Sequence, residues 1–297
     1  LTEIIYNFFQ EGNKKQHSLE FCSLAMVSYF HRLLAIATVL TSIHNSCGAN
    51  ILIFCIPAYS QIVGPVNVGK ILQDQGHIVT IAIPSAMKPK VERTGLQSLV
   101  YTSMDGFNML KEVDKIFLDG LARRKSPVLL SADFSKLTKI ACDKILRDEN
   151  LLEDIKTHKP DLMILTSIPS ARMLTIIPYK LNVPFIFIST MAPSQFSRSP
   201  VLPTAIPNDF LDLSDKMTFS ERLQNTFVEL MFYYYDPFSY RNAVNQYAPE
   251  KPYISLHDLQ AKALLWIVNR HVILDYSPPA LPNVKHVGHL ITLQPKP

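Results

Sequence analysis

The sequence predicts an α/β fold built on a Rossmann-like, doubly wound parallel sheet. Short, continuously apolar runs such as residues 50–56 and 78–83 have the length and composition of strands that are buried on both faces. Segments with a helical spacing of apolar residues separate such runs, as at residues 66–75. Strands that alternate with helices favour parallel pairing through right-handed crossovers. The 297 residues are 47% hydrophobic, which is enough for a large core.

The remaining elements continue this alternation along the chain. In order, we predict strands at residues 50–56, 78–83, 96–101, 161–165, 184–189, 268–274 and 284–287. We predict helices at 66–75, over most of 107–157 with a break at Ser126–Pro127, at 171–181, over most of 214–247 and at 255–266. Residues 57–65 and the Pro- and Ser-rich stretch 190–213 are predicted loops. Gly76 suits a helix end that needs positive φ, and Thr218 with Glu221 has the spacing of a capping box.

Residues 26–48 have the anatomy of a secretory signal peptide. His31 and Arg32 form a short basic region, residues 33–43 are a compact apolar run, and small residues precede a cleavage position before Ala49. The run is too short to span a bilayer, and a buried helix is the alternative. We therefore predict three parts: residues 1–25, not part of the mature protein; residues 26–48, the signal peptide; and residues 49–297, the folded domain.

Composition excludes several classes of function. The net charge of +4 is too mild to indicate nucleic-acid binding. With only 9 glycines, the chain has no Gly-rich phosphate loop, and the cysteines and histidines lack the spacing of a metal site. The chain has no Asn-x-Ser/Thr glycosylation site. Together with the signal peptide, this predicts the endoplasmic reticulum lumen or membrane and disfavours secretion.

Four segments occur in an order and spacing that match one known family. They are Ala58-Tyr59-Ser60 followed by Gln75-Gly76-His77, then residues 181–185, 213–222 and 281–288. Together they resemble the N-terminal half of a UDP-glycosyltransferase of the UDP-glucuronosyltransferase type, over residues 49–297. The segment Leu-Ser-Asp-Lys-Met-Thr-Phe-Ser-Glu-Arg at 213–222 is the most specific of the four.

The resemblance implies the N-terminal domain of a GT-B glycosyltransferase, in which two Rossmann-like domains face each other across a cleft. In the family, the N-terminal domain holds a small lipophilic acceptor and the C-terminal domain holds the UDP-sugar. This chain carries neither the donor-binding signature nor the C-terminal membrane anchor, so it is predicted to be a fragment or a half-length product. UDP-sugar is then a co-substrate only if a C-terminal domain exists. A membrane-surface contact and a dimer with a relative are the further partners that we predict.

The family's catalytic dyad falls on uncharged residues here. A histidine removes the proton of the acceptor hydroxyl, and an aspartate orients that histidine. The resemblance places Gln61 at the histidine position and Ser167, or its neighbour Thr166, at the aspartate position. Tyr59 and Ser60, which precede Gln61, are the predicted acceptor-binding residues. An amide cannot accept a proton at neutral pH, so this chain alone is predicted to be inactive.

Three interpretations of the missing dyad stay open: a pseudoenzyme, an enzyme for acceptors that need little help from a base, or a substitute base. Asp105 follows the third predicted strand and is the best-placed substitute, and we also assign it to acceptor binding. Its alternative role is to form a turn with Gly106. Asp161 and His77 are predicted to lie at the opposite end of the sheet.

Two alternatives to an enzyme also follow from the sequence. The first is a non-catalytic domain that binds lipophilic molecules or modulates a partner. The second is an unrelated periplasmic-type or flavodoxin-like binding domain, which leaves the segment 214–222 unexplained. The aromatic cluster at 232–235 is compatible with a core, an acceptor-site wall or a membrane-facing patch.

Overall fold

The computed structural model describes residues 48–56, 61–125, 127–167, 169–190, 194–208, 211–234, 242–270, 276 and 279–288. In this part of the chain, parallel strands form a 7-stranded sheet with the order β3-β2-β1-β4-β5-β6-β7. The strands are β1 (Asn50–Phe54), β2 (Ile78–Pro84), β3 (Gln97–Tyr101), β4 (Leu162–Ser167), β5 (Phe185–Ser189), β6 (Trp266–Asn269) and β7 (Val284–Val287). Because the order reverses between β1 and β4, the predicted doubly wound, Rossmann-like α/β fold is confirmed.

Helices connect the strands over both faces of the sheet. They are α1 (Val63–Asp74), α2 (Lys88–Glu92), α3 (Met109–Ala122), α4 (Pro127–Leu146), α5 (Glu149–His158), α6 (Ile176–Leu181), α7 (Ser194–Ser197), α8 (Phe219–Tyr234), α9 (Ala243–Tyr247) and α10 (Leu256–Gln260). Tighter 3₁₀ turns occupy Ser85–Met87 and Pro169–Thr175. Among the helices in the described ranges, none combines the length and hydropathy needed to cross a membrane.

Side chains of β1 alternate between two cores, one on each face of the sheet. Leu52 and Phe54 belong to the larger core, which residues of α3 to α6, α9 and α10 complete. Ile51 and Ile53 belong to the smaller core, which α1 and α2 complete. Burial on both faces is the physical reason why this strand reads as a continuous apolar run.

The ends of the helices follow from local chemistry. The Asp148 side chain accepts a hydrogen bond of 3.0 Å from the Leu151 N–H and so caps α5. Gly76, after α1, has a φ of +91°, as predicted. At the start of α8, the Thr218 N–H donates to Glu221 Oε2 at 2.7 Å, and the Glu221 N–H donates to Thr218 Oγ1 at 3.4 Å. The predicted capping box is therefore present.

The predicted helix at 255–266 and strand at 268–274 have the wrong boundary. Helix α10 ends at Gln260, and Trp266 is the first residue of β6. The Trp266 N–H donates to the Asn283 carbonyl at 2.7 Å, and its ring centroid lies 4.3 Å from that of Phe187 on β5. Pairing with β5 and β7 thus overrides the local helical spacing.

Two predicted loops contain helical structure. The loop at 57–65 is shorter than predicted, because α1 begins at Val63 and accommodates Pro65 in its first turn, where the missing N–H costs little. The stretch 190–213 contains α7, and Phe196 on α7 is buried in the larger core. The predicted signal peptide lies outside the described residues, apart from Gly48, so the domain boundary at residue 49 stays a prediction.

Candidate active site at the carboxyl edge of the sheet

The carboxyl ends of β1 and β4 form the edge where the strand order reverses. These strands are direct neighbours, with Ile51 aligned to Leu162 and Phe54 aligned to Leu165. In open α/β sheets, ligands bind in the crevice outside the carboxyl ends at such a switch point. The segments that follow Phe54 and Leu165 therefore define the first place to look for a site.

A buried hydrogen bond joins the two strand ends. The Ile56 N–H donates to Thr166 Oγ1 at 3.0 Å, and both residues are buried. The Thr166 hydroxyl also forms a hydrogen bond with the Cys55 thiol. The Thr166 side chain is thus committed to holding the segment after β1. Ser167 is the last residue of β4, aligned with Ser189 of β5, and stays the predicted position of the family's aspartate.

Gln61 lies at the same edge of the sheet. It is half-buried and precedes the start of α1 at Val63. Ile62, between them, is buried, and its carbonyl accepts a hydrogen bond of 2.9 Å from the Val66 N–H, which anchors the first turn directly after Gln61. Tyr59 and Ser60, the predicted acceptor-binding residues, lie outside the described residues and stay predictions.

The chemistry available at this switch point is hydrogen bonding without proton removal. The Gln61 amide can donate and accept hydrogen bonds, and so can the hydroxyl groups of serine and threonine. None of these groups takes a proton at neutral pH, whereas deprotonation of an acceptor hydroxyl requires a base with a pKa near the working pH. The arrangement can orient a hydroxyl, but these positions supply no general base.

Asp105 brings a carboxylate to the same edge but at the end of β3. It is exposed, it accepts a hydrogen bond from the Ser85 hydroxyl at the end of β2, and its N–H donates to the Thr102 carbonyl at 2.8 Å. Gly106 follows with a φ of +77°, which fits the turn-forming role. Asp105 follows β3 and Gln61 precedes the helix that follows β1, and β2 lies between these two strands in the sheet.

Asp161 and His77 lie at the opposite edge of the sheet. Asp161 Oδ2 accepts a hydrogen bond of 2.8 Å from the Asn50 N–H at the start of β1. His77 Nδ1 accepts one of 3.1 Å from the Ala49 N–H. Both side chains support the amino ends of strands, so neither can replace a base at the switch point.

Sequence reasoning missed a buried cation near the candidate edge. Arg172, in the turn that follows β4, is 1% exposed, and its guanidinium carbon lies 4.5 Å from the ring centroid of Phe196. The Phe196 ring in turn lies 5.1 Å from that of His257. These contacts hold α7 and α10 against the segment after β4. The available signal was a charged residue inside the apolar run at 171–174, because a buried charge needs partners.

Other reactive groups near the strands are held in their neutral forms. Burial raises the pKa of the Cys55 thiol, and it raises the pKa of the Cys142 thiol as well, so neither is a thiolate at neutral pH. Burial also raises the pKa of Tyr101, whose hydroxyl has no hydrogen-bond partner among the described residues. Within the same ranges, no group of three or more His, Cys, Asp or Glu side chains is placed to hold a metal ion.

Known proteins resemble this chain in sequence. A family model described as UDPGT, UDP-glucoronosyl and UDP-glucosyl transferase, matches residues 50–297. Human UDP-glucuronosyltransferase 3A1 is 26% identical over 288 residues, which cover 89% of this chain and 52% of that protein. Mouse UDP-glucuronosyltransferase 2A1 is 24% identical over 273 residues, which cover 85% of this chain and 51% of that protein. The chain thus spans about half the length of these relatives.

A solved structure supports the fold independently. The glycotransferase of kitacinnamycin superposes with a TM-score of 0.50 at 14% identity, over 84% of this chain and 53% of that one. At this identity the similarity shows the fold alone. It agrees with the strand order in assigning the chain to the Rossmann-like domains of GT-B glycosyltransferases.

Proposed function

Because the chain belongs to the UDP-glucuronosyl and UDP-glucosyl transferase family, we propose that residues 49–297 form the acceptor-binding half of a UDP-glycosyltransferase. The parent reaction is the transfer of a sugar from a UDP-sugar to a small lipophilic acceptor. The acceptor would occupy the crevice at the carboxyl ends of β1 and β4, where such sheets bind ligands. The UDP-sugar is a co-substrate, and its site belongs to a C-terminal donor domain that residues 49–297 do not include.

We propose further that this chain alone does not transfer sugar. The observation that carries this proposal is that neither the Gln61 amide nor the hydroxyl groups at Thr166 and Ser167 can accept a proton at neutral pH. Loss of a positioned general base lowers a rate by about 10² to 10⁴. The Ile56–Thr166 hydrogen bond supports the alignment of Ser167, rather than Thr166, with the family's aspartate, because the Thr166 side chain already has a structural role.

The test separates acceptor binding from transfer. The 297-residue chain is incubated with 1-naphthol, a small lipophilic phenol, in the presence and absence of UDP-glucuronic acid or UDP-glucose. We expect saturable binding of 1-naphthol in equilibrium dialysis, no effect of either UDP-sugar on that binding, and no naphthyl glycoside by mass spectrometry. Formation of the glycoside would refute the inactivity of the chain, and absence of binding would refute the acceptor-binding assignment.

A non-catalytic role is the second candidate, and the same uncharged dyad favours it. A domain that retains the acceptor crevice without a base would bind lipophilic molecules or modulate a full-length relative. It predicts that adding this chain changes the turnover of such a relative, although the chain has no activity of its own. An unchanged turnover at saturating concentration of the chain would refute the modulating role.

We propose that a signal peptide at 26–48 directs the chain to the endoplasmic reticulum. The environment of Ala49 supports cleavage before this residue, because its N–H donates to His77 Nδ1 at 3.1 Å and a new α-amino group can make the same hydrogen bond. N-terminal sequencing of the protein from secretory cells should begin at Ala49. Retention of Gly48 would refute this cleavage position. The membrane contact of the aromatic segment 232–235 stays a prediction.

A further inference from the structure

A buried tyrosine lies beside the candidate edge, at the end of β3. Tyr101 is the last residue of this strand and is 3% exposed. Its ring is stacked on that of Phe54, the last residue of β1, with the ring centroids 5.9 Å apart and the ring planes 6° from parallel. Because β2 lies between β1 and β3 in the sheet, the Tyr101 side chain extends across β2 towards the strand that leads to the switch point.

The register of the strands explains this contact. Ala82 is the β2 residue aligned with Phe54, and Tyr101 is aligned with Pro84, two residues further along β2. Phe54, Ala82 and Tyr101 all belong to the larger core, so their side chains lie on one face of the sheet. Ala82 is small, and aromatic side chains can contact diagonal neighbours on a sheet face. The position of the Tyr101 ring therefore follows from strand pairing.

The hydroxyl group of Tyr101 is buried and has no hydrogen-bond partner among the residues that the structure describes. An unpaired buried hydroxyl costs about 1–3 kcal/mol, so such groups normally have partners. The Ser103 Oγ atom, two residues further on, is also buried and has no partner in the same part of the chain. Two unpaired hydroxyl groups at one strand end indicate a place for a polar group that these segments do not supply.

The electrostatic surroundings favour an uncharged group at this place. Burial raises the pKa of Tyr101, and the Cys55 and Cys142 thiols and the Asp148 carboxylate raise it further. The phenol therefore stays protonated at physiological pH and can donate a hydrogen bond. The carboxylate of Asp148 disfavours a second negative charge, and burial disfavours a charge of either sign. The best partner for the Tyr101 hydroxyl is thus the oxygen of an uncharged group.

Two methionines make this part of the core adaptable. Met104 and Met109 are 4% and 3% exposed and belong to the same core as the Tyr101 ring. Both follow β3 closely in the chain, on the segment that leads from the carboxyl edge into α3. Methionine is unbranched and flexible, so it can repack around a ligand more easily than a β-branched side chain.

We infer that the Tyr101 hydroxyl selects acceptors by donating a hydrogen bond to a second, uncharged oxygen of the acceptor, such as a carbonyl. The inference rests on the proposed function, in which the reacting hydroxyl of the acceptor lies near Gln61. A flat acceptor that extends from there over the end of β1 would present its far end to Tyr101. The substrate class is then lipophilic alcohols and phenols that also carry a carbonyl group. A site that donates a hydrogen bond to its substrate discriminates against the analogue that lacks the matching oxygen.

A matched pair of ligands tests this inference. The ligands are 5-indanol and 5-hydroxy-1-indanone, which share one bicyclic skeleton and differ only in that a carbonyl replaces a CH₂ group. Water hydrates the carbonyl, so a pocket without a donor for it would bind the ketone more weakly. In equilibrium dialysis at pH 6, where both phenols are neutral, we expect the 297-residue chain to bind the ketone about tenfold more tightly than 5-indanol.

The informative variant is Tyr101→Phe, which removes the hydroxyl and retains the ring. We expect it to lose the preference for the ketone and to bind 5-indanol as the wild type does. Because the hydroxyl is unpaired among the described residues, its removal should leave the urea midpoint unchanged or slightly raised. The matched control is Tyr179→Phe, since the Tyr179 hydroxyl donates to the Pro252 carbonyl at 2.6 Å. This variant should retain the preference.

The outcomes separate this inference from the proposed function. Binding of both ligands with the same affinity ratio in the wild type and Tyr101→Phe would overturn the inference and leave the acceptor-binding proposal intact. A wild type that prefers 5-indanol, or an equal loss of preference in Tyr179→Phe, would overturn it as well. Binding of neither ligand would refute the acceptor-binding proposal, and the inference with it.

Discussion

Ile56 and Thr166 connect the carboxyl ends of β1 and β4 through a buried hydrogen bond of 3.0 Å from the Ile56 N–H to Thr166 Oγ1. The bond crosses the point where the strand order of the sheet reverses. Ile56, which lies just beyond β1, is thereby tied to the end of β4, which carries Ser167. Thr166 is buried, so a charged side chain at this position would lose its hydration at a large cost in free energy. An uncharged threonine avoids this cost at the switch point.

Replacing Thr166 with valine should destabilise the domain. Valine retains the shape but leaves the buried Ile56 N–H without an acceptor, which costs about 1–3 kcal/mol. Urea unfolding followed by circular dichroism would measure the change. Thr166→Ser retains the hydroxyl and is the control, so we expect it to recover most of the loss. Equal stability of the wild type and Thr166→Val would contradict a structural role for this bond.

Restoring the dyad should produce a coupled pair of titrating groups. In Gln61→His, the new imidazole should titrate near its ordinary value of about 6.5. Adding Ser167→Asp should raise the pKa of this imidazole by about one unit or more, because an adjacent carboxylate favours the imidazolium. Comparison with the wild-type NMR spectrum distinguishes the new signal from the 9 native histidines.

The sign of this coupling also fixes its effect on stability. The raised pKa means that the pair stabilises the fold fully below about pH 6.5, and the stabilisation is lost as the pH rises through the raised value. Asp105→Asn in the single variant is the control, because Asp105 follows β3, which is not a neighbour of β1 in the sheet, and we expect this change to alter the imidazole pKa much less. Identical imidazole pKa values in the single and double variants would show that residues 61 and 167 are not neighbours.

The strands that could be predicted from the sequence are those that form an unbroken run of apolar residues. Residues 51–54 and 79–83 are buried on both faces, so their apolar runs identify them without knowledge of their partners. Trp266 shows the limit. Its place in β6 depends on pairing with β5 and β7, which are remote in sequence, while the preceding residues have helical spacing.

The candidate site was predictable only in part for the same reason. The assignment of Gln61 and Ser167 to the dyad positions rests on the family resemblance and stays a prediction, while the strand ends supply the edge at which both residues lie. The Thr166–Ile56 bond and the Arg172–Phe196 contact join segments that are distant in the chain, and no spacing rule reveals them.

The capping box at the start of α8 should give a pH-dependent contribution to stability. Hydrogen bonds from the Thr218 backbone and, less strongly, from its side chain lower the pKa of Glu221. A lowered pKa stabilises the fold above the unfolded value of about 4.3, and this contribution is lost as the pH falls through the folded value. Glu221→Gln should therefore be less stable than the wild type at pH 7, with a smaller difference at pH 3.

A surface glutamate outside the capping box provides the control for this measurement. Glu153 lies 3.3 Å from Lys156 with both side chains 67% exposed, so Glu153→Gln should change the urea midpoint little at either pH. A Glu221→Gln deficit that is the same at pH 7 and pH 3 would show that the charge of Glu221 does not stabilise the helix start.

The two buried thiols should react slowly in the native state and rapidly after unfolding. Burial raises the pKa of both Cys55 and Cys142, which keeps the thiolate fraction low at neutral pH. We expect little labelling of either residue by iodoacetamide at pH 8 in the folded chain and full labelling in urea. Peptide mass spectrometry would report each cysteine separately, so that labelling of Cys22 and Cys47 does not enter the comparison.

Because the raised pKa values belong to the folded state, stability should fall as the pH rises above about 8.5, where the thiols of the unfolded chain ionise. Labelling of Cys55 in the folded chain at the rate seen in urea would contradict its burial beneath the switch point.

Thr166→Val should slow the labelling of Cys55 further if the fold persists, because the Thr166 hydrogen bond lowers the pKa of this thiol against the effect of burial.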